Sequence, residues 1–378
     1  MIKVFPVIRA AFDIEQSDLI LTPADCEELV AFGRKQSILP VVYEGLTKFN
    51  IPSDILKSAD NARNIDLRLY VLHNDALHRI CSALDNASIP YIPLKGAVLR
   101  EFYPKPEMRT ASDIDVLVHE EDVEKAREVL EADTDFKTDH RAYHDISMLN
   151  AAVHLELHFS LKENSENIDK LLSNAWEYAE PTQKKSRYAF TPEFQIFHIV
   201  AHMSYHFLHG GLGIRPFLDL WLIRTKTKYD ENTVRSMCSQ CGILTFYEEC
   251  CNLACCWLEN GAYTETAQLL EEFCLSGGVF GSREFKNAAR QRDRRGIRYI
   301  ISRICPPTAQ VREYYGDSSG KPHSSVYYYI KRWISWFKRR KQLKAQIGEI
   351  MSSDKEYIDH TDDLLQRLGM KKTAESGD

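Results

Sequence analysis

The sequence predicts an α+β protein: a small mixed-sheet core over residues 85–162, with helical regions before it (1–84) and after it (163–378). Three observations lead to that class. Apolar residues recur at helical spacing through the first 84 positions. From Ile89 the texture changes to short apolar runs, several of them alternating with polar residues. From Asp169 onward the helical spacing returns. At about 100–200 residues per domain, a chain of 378 residues has room for a sizeable core and more than one domain.

The elements follow in order. DCEELVAFGRKQ and ADNARNIDLRLYVLHNDALHRICSALDNA read as helices. Ile89-Pro90-Tyr91-Ile92-Pro93-Leu94 reads as a short strand with prolines at its ends. Lys95-Gly96 follows, then AVLREFY, a helix-like run ended by Pro104 and Pro106. DIDVLV, from Asp113 to Val118, is a strand, and EEDVEKAREVLEAD is a charged helix. HDISML and AAVHLELHFSL are two strands joined by a short turn at Asn150. Thr191-Pro192 opens a helix, with the threonine as cap and the proline at the first helical position. That helix runs to about His209 and stops at Gly210-Gly211, and IRPFLDLWLI forms the next one. There is no internal repeat, and the tail KKTAESGD reads as disordered.

Composition excludes several classes. Hydrophobic residues at 44% and charged residues at 27% are a globular mix, not that of a disordered chain. Mean hydropathy is -0.36, and no stretch approaches the ~18 apolar residues of a membrane span. The opening MIKVFPVIRAAFDIE is interrupted by Pro6 and Arg9 and has no small-residue cleavage site, so a cytoplasmic protein is expected. Ten cysteines in so long a chain are not a disulfide scaffold. Cys238-x-x-Cys241 is half of a zinc spacing, but CCNLACC does not complete it; cysteines packed as small hydrophobes are the simpler reading. Net charge is -6, yet residues 283–344 hold 17 Lys and Arg against 4 Asp and Glu. That surplus suits an anionic partner: nucleic acid, a phosphorylated substrate or an anionic membrane surface. The plainer reading is a solvated helical face against the acidic remainder of the chain.

Chemistry concentrates in the core. On a strand, Asp113 and Asp115 share one face while Ile114, Val116 and Val118 share the other. Neighbouring carboxylates repel, and a hard divalent cation with oxygen ligands resolves that cost. His154, Glu156 and His158 likewise share one face of the later strand, with Leu155, Leu157 and Phe159 opposite. Glu156 is the natural third carboxylate for the site that Asp113 and Asp115 open. Lys95-Gly96 stands where a strand meets a helix, a place suited to phosphate: free N–H groups, close approach at glycine and a positive side chain.

The order Leu94-Lys95-Gly96, Arg109, Ser112-Asp113-Ile114-Asp115 and His154-Leu155-Glu156-Leu157-His158 resembles the bacterial uncharacterised nucleotidyltransferase family of the DNA polymerase β superfamily. The resemblance is specific over residues 89–160 and continues more weakly through His198 to Asp219 and to PPTAQVREYYG. In one respect the chain departs from the superfamily. Ala97 follows Gly96 where Gly or Ser is usual, so a hydroxyl contact to phosphate is missing and Lys95 would take its place. The resemblance implies a nucleotidyltransferase-type core that moves a nucleoside monophosphate from an NTP to an acceptor. Asp113, Asp115 and Glu156 would bind two Mg²⁺ or Mn²⁺ ions and carry catalysis. Lys95, Gly96, Arg109, Ser112, His158, His202 and Arg215 would contact the nucleotide. The acceptor is left open, a sugar or another anionic substrate at the basic region being favoured over nucleic acid.

The helical half adds His198, His202, His206 and His209, which fall in one stripe. They read either as a polar wall facing a ligand or as structural partners of acids. Arg215 and Asp219 are one turn apart and read as a salt bridge. Two other readings stand beside the transferase: a Zn²⁺ or Fe²⁺ enzyme using His154, Glu156 and His158, and a non-catalytic nucleotide-binding module.

Overall fold

Four helices come first: α1 (Val4–Ala11), α2 (Pro23–Lys35), α3 (Leu39–Leu46) and α4 (Ser53–Asn86). A computed structural model describes residues 3–14, 18–163, 165–278, 325–338 and 355–370. The start of α2 is set locally by a reciprocal pair. Thr22 Oγ1 accepts from the Asp25 N–H at 3.2 Å, and the Asp25 carboxylate accepts from the Thr22 N–H at 2.8 Å.

The core sheet contains β1 (Tyr91–Pro93), β2 (Asp113–Val118), β3 (Lys137–Arg141), β4 (Asp145–Leu149) and β5 (His154–His158). Between β1 and β2 lies the short α5 (Gly96–Leu99), and between β2 and β3 lies α6 (Val123–Asp133). The strand order is β1-β2-β5-β4-β3, with β2 and β5 parallel and the other pairs antiparallel. The turn expected at Asn150 is an Asx turn: Asn150 Oδ1 accepts from the N–H groups of Ala152 and Val153.

The second half continues with α7 (Glu166–Leu172), a hairpin of β6 (Ala179–Pro181) and β7 (Tyr188–Phe190), then α8 (Pro192–His209) and α9 (Arg215–Lys226). After these come α10 (Glu231–Gln240), α11 (Leu244–Leu258), α12 (Glu265–Ser276), α13 (Ser325–Lys338) and α14 (Lys355–Arg367). Thr191 caps α8 as expected, its hydroxyl accepting from the Phe194 N–H. Gly211, at φ 102°, ends that helix in a conformation that favours glycine.

The structure is therefore a mixed α+β fold with a five-stranded sheet, and two cores position its site. One face of the sheet packs on α4 and α6 through Ile114, Val116, Val118, Leu155 and Leu157. The other core joins α1–α3 to α8–α12 and takes in Leu94 and Leu117.

Some expectations are corrected. AVLREFY forms only the single turn of α5 and then a 3₁₀ turn, Arg100–Phe102, before Pro104. The edge strand β3 and the β6–β7 hairpin were not foreseen; KTDHR is exposed throughout and carries no apolar alternation to announce a strand. The nine described cysteines are free thiols, eight of them buried. Burial raises the thiols of Cys238, Cys250 and Cys251, and among the described residues no cysteine belongs to a metal-capable group. Most of the basic segment 283–344, the PPTAQVREYYG run and the KKTAESGD tail lie outside the described residues. No described helix is long and apolar enough to cross a membrane.

Candidate active site

Strand register brings acids together. Across β2 and β5, Asp113 stands opposite His154 and Asp115 opposite Glu156. The intervening aliphatic residues are buried on the α4–α6 side, so alternation turns Asp113, Asp115, Glu156 and His158 toward α8. There they border a pocket of about 340 Å³. Every residue singled out in the sequence for catalysis or nucleotide contact lines it, from Lys95 and Gly96 to His202 and Arg215.

Asp115 is the electrostatic centre, with 2% of its surface exposed. Its Oδ1 accepts from Lys95 Nζ at 3.0 Å and from His158 Nε2 at 2.9 Å. His158 Nε2 is also 3.4 Å from Glu156 Oε2. Burial alone would raise the Asp115 carboxyl, but Lys95 and His158 hold it well below the usual carboxylate range. Burial likewise opposes a charge on His158, yet its bonds to Asp115 and Glu156 push its pKa up to about 9. Asp113, whose carboxylate accepts from Ser112 Oγ at 3.1 Å, is raised by burial and then by the charge of Asp115.

One ligand atom each from Asp115, Glu156 and His158 lies within 4.8 Å of the others. That spacing fits a cation with ligands at about 2.0–2.6 Å. A dication taking Asp115 Oδ1 would compete with Lys95 and His158 for that oxygen. Asp113 lines the pocket but is not one of this trio. His154 is turned elsewhere: its Nε2 lies 2.8 Å from Ser147 Oγ, so the set His154, Glu156 and His158 is not assembled.

The turn beside the acids is under backbone strain. Lys95 has φ 41° and ψ -113°, a region in which glycine is usual. At Gly96 the reason for glycine is visible: an added Cβ would lie 2.8 Å from Arg109 Nη1 and 3.1 Å from Ala111 Cβ. Arg109 is itself committed, its Nε and Nη2 bonding the two oxygens of Asp219 at 2.9 and 2.8 Å. Tyr103 donates to the same Asp219 at 2.8 Å. Asp219 thus pairs with Arg109 and not with Arg215, whose Nη1 instead donates to the Thr110 carbonyl at 3.1 Å.

The opposite wall is α8. His198, His202 and His206 line the pocket, while His209 is exposed and bonds the Tyr205 carbonyl. His202 Nδ1 is 2.8 Å from Glu163 Oε1, and its Nε2 is 3.0 Å from His206 Nε2. Burial first, then the charge of Lys95, pulls His198 and His202 down to about 3, and burial pulls His206 down to about 4. Two lining residues had no signal in the sequence. Glu163 lies in the loop after β5, and His144 stacks on His158 with ring centroids 5.9 Å apart.

The chain belongs to the family described as uncharacterised nucleotidyltransferase, whose model matches residues 22–259. It is therefore a nucleotidyltransferase, with an NTP as substrate. Among solved structures, the antibiotic-resistance factor ANT(2'')-Ia is similar over 45% of this chain and 90% of its own, at 11% identity and a TM-score of 0.34. No curated protein matches the chain.

Proposed function

We propose that the pocket between β2, β5 and α8 transfers a nucleoside monophosphate from an NTP to an acceptor hydroxyl or phosphate, with Mg²⁺ or Mn²⁺ held by Asp113, Asp115 and Glu156. The observation that carries this reading is the register of Asp115 against Glu156 on parallel neighbours, with His158 closing the group. A bound pair of divalent ions would neutralise phosphate charge and sharpen the acceptor oxygen as nucleophile. The acceptor oxygen bonds to the α-phosphorus, the bond to the β-phosphate bridge breaks, and pyrophosphate leaves.

The chain's own residues bind and orient. Lys95, displaced from Asp115, turns its ammonium to the phosphates. Ser112 orients Asp113 through its hydroxyl. The Arg109–Asp219 pair fixes the glycine turn, and Arg215 leaves donors facing the pocket. Glu163 orients His202 on the acceptor side. The cytoplasm, where NTPs are supplied, is the compartment this reading implies.

The test uses each NTP labelled at the α- or γ-phosphate, with Mg²⁺ and cell extract. Label from the α-position appears in an acceptor while γ-label leaves as pyrophosphate. Transfer of γ-label instead would make the protein a phosphoryl transferase. Lys95→Ala is expected to weaken NTP binding about tenfold, the worth of a charge-assisted bond, while Mn²⁺ still binds; unchanged NTP affinity removes Lys95 from the site.

A further inference from the structure

Arg100 stands behind the glycine turn, outside the lining of the catalytic pocket. It opens the 3₁₀ turn Arg100–Phe102 after α5, is only 5% exposed, and its Nε donates to the Gly96 carbonyl at 2.8 Å. Its Nη1 is buried and has no hydrogen-bond partner. Among the described residues Arg100 forms no ion pair. Glu101 beside it is exposed, and Asp66 and Glu107, which border the same cavity of about 40 Å³, are not paired with it either. The Tyr70 ring, centred 5.5 Å away, favours a cation there without neutralising it.

A guanidinium keeps its charge in a protein, so burying one without a carboxylate is costly. The neighbours register that charge. Burial first, then Arg100, pulls His73 down to about 4; burial first, then Arg109, lowers Arg100 itself. Arg109 also flanks Gly96, but Asp219 accepts from two of its nitrogens and balances its charge. Of the two guanidiniums against Gly96, Arg100 is the one left uncompensated. In a low-dielectric interior such a charge acts at a distance, without contact. An anion at the Lys95–Gly96 turn would compensate it.

We propose that Arg100 is a positioning residue for the donor triphosphate: it engages the Gly96 carbonyl, which a phosphate would repel, and its charge draws the anion to the turn from behind. This rests on the reading of that turn as the phosphate site. The two roles are separable. A neutral side chain that still donates to Gly96 keeps the turn and loses the attraction, which grows with the charge of the ligand. An arginine that only held the fold would affect every ligand of the pocket alike.

Isothermal titration of the full chain with ATP, GTP, CTP and UTP, each with Mg²⁺, finds the tightest triphosphate; its monophosphate and nucleoside are then compared with it. Arg100→Gln should weaken the triphosphate about tenfold, the monophosphate less and the nucleoside not at all, as loss of one charge interaction predicts. Arg100→Lys should restore most of that affinity. Without ligand, Arg100→Gln should unfold at the same or a higher urea concentration, because a buried unpaired charge is gone. His73→Asp keeps the test open if Arg100→Gln does not fold. It sets a carboxylate in the cavity that Arg100 borders, and it too should weaken the triphosphate and spare the nucleoside. The inference fails if either change weakens nucleoside and triphosphate equally, or if both leave the triphosphate unaffected while Lys95→Ala weakens it. A wild type that binds no triphosphate more tightly than its nucleoside overturns the phosphate-site reading as well.

Discussion

Two walls of one pocket hold histidines in opposite states. On the sheet, His158 touches two carboxylates and its pKa rises to about 9. On α8, His198 and His202 are held at about 3, by burial and by the nearby Lys95 charge. His202 also touches a carboxylate, Glu163 at 2.8 Å, so one such contact does not offset burial, whereas the double contact of His158 with Asp115 and Glu156 does. The sheet wall gathers the charges of Lys95 and His158 on Asp115, and the helix wall presents neutral rings.

Replacing the centre of the sheet wall has the largest expected effect. Asp115→Asn should cut transfer at least about hundredfold, since it would remove a proposed cation ligand as well as the partner of Lys95 and His158. It should also let His158 fall from about 9 toward the ordinary value near 6.5, as followed by NMR titration. Retained transfer would break the comparison at its root. Gly96→Ala comes next. Its Cβ would push Arg109 off Asp219 and cost about 1–3 kcal/mol in urea unfolding.

Opposite shifts give opposite pH slopes. His158 is raised in the folded state, so its contribution to stability is whole below about pH 6.5 and is lost as pH rises through about 9. The α8 histidines are depressed, so their contribution is whole above about pH 6.5 and is lost as pH falls through about 4 and about 3. His158→Gln should therefore flatten the alkaline limb of a stability–pH curve, and His198→Leu should make the acid limb shallower. An unchanged acid limb in His198→Leu would remove that ring from the account, and this is the smallest of the expected effects.

Alternation made part of this site legible. In DIDVLV and HLELH it assigns one face to aliphatics and the other to acids and histidine, and the structure buries those aliphatics on α4 and α6. The cap at Thr191 was legible because it is local, acting on an N–H group three residues away; the equally local cap at Thr22 was not read. Partner choice was not legible, because periodicity names a face but not what meets it. The pairing of Arg109 with Asp219, 110 positions later, had no such signal. Neither had the bond between His158 and Asp115. Glu163 and β3 carry no pattern at all, since one sits in a loop and the other is an exposed edge.

The central claim is that the sheet wall, not the helix wall, holds the divalent cation. Mn²⁺ titration of the full chain, read by electron paramagnetic resonance, compares the wild type with Asp115→Asn, Glu156→Gln and His202→Ala. The account predicts that binding is lost in the first two variants and kept in His202→Ala. Binding that survives Asp115→Asn and disappears in His202→Ala would contradict it.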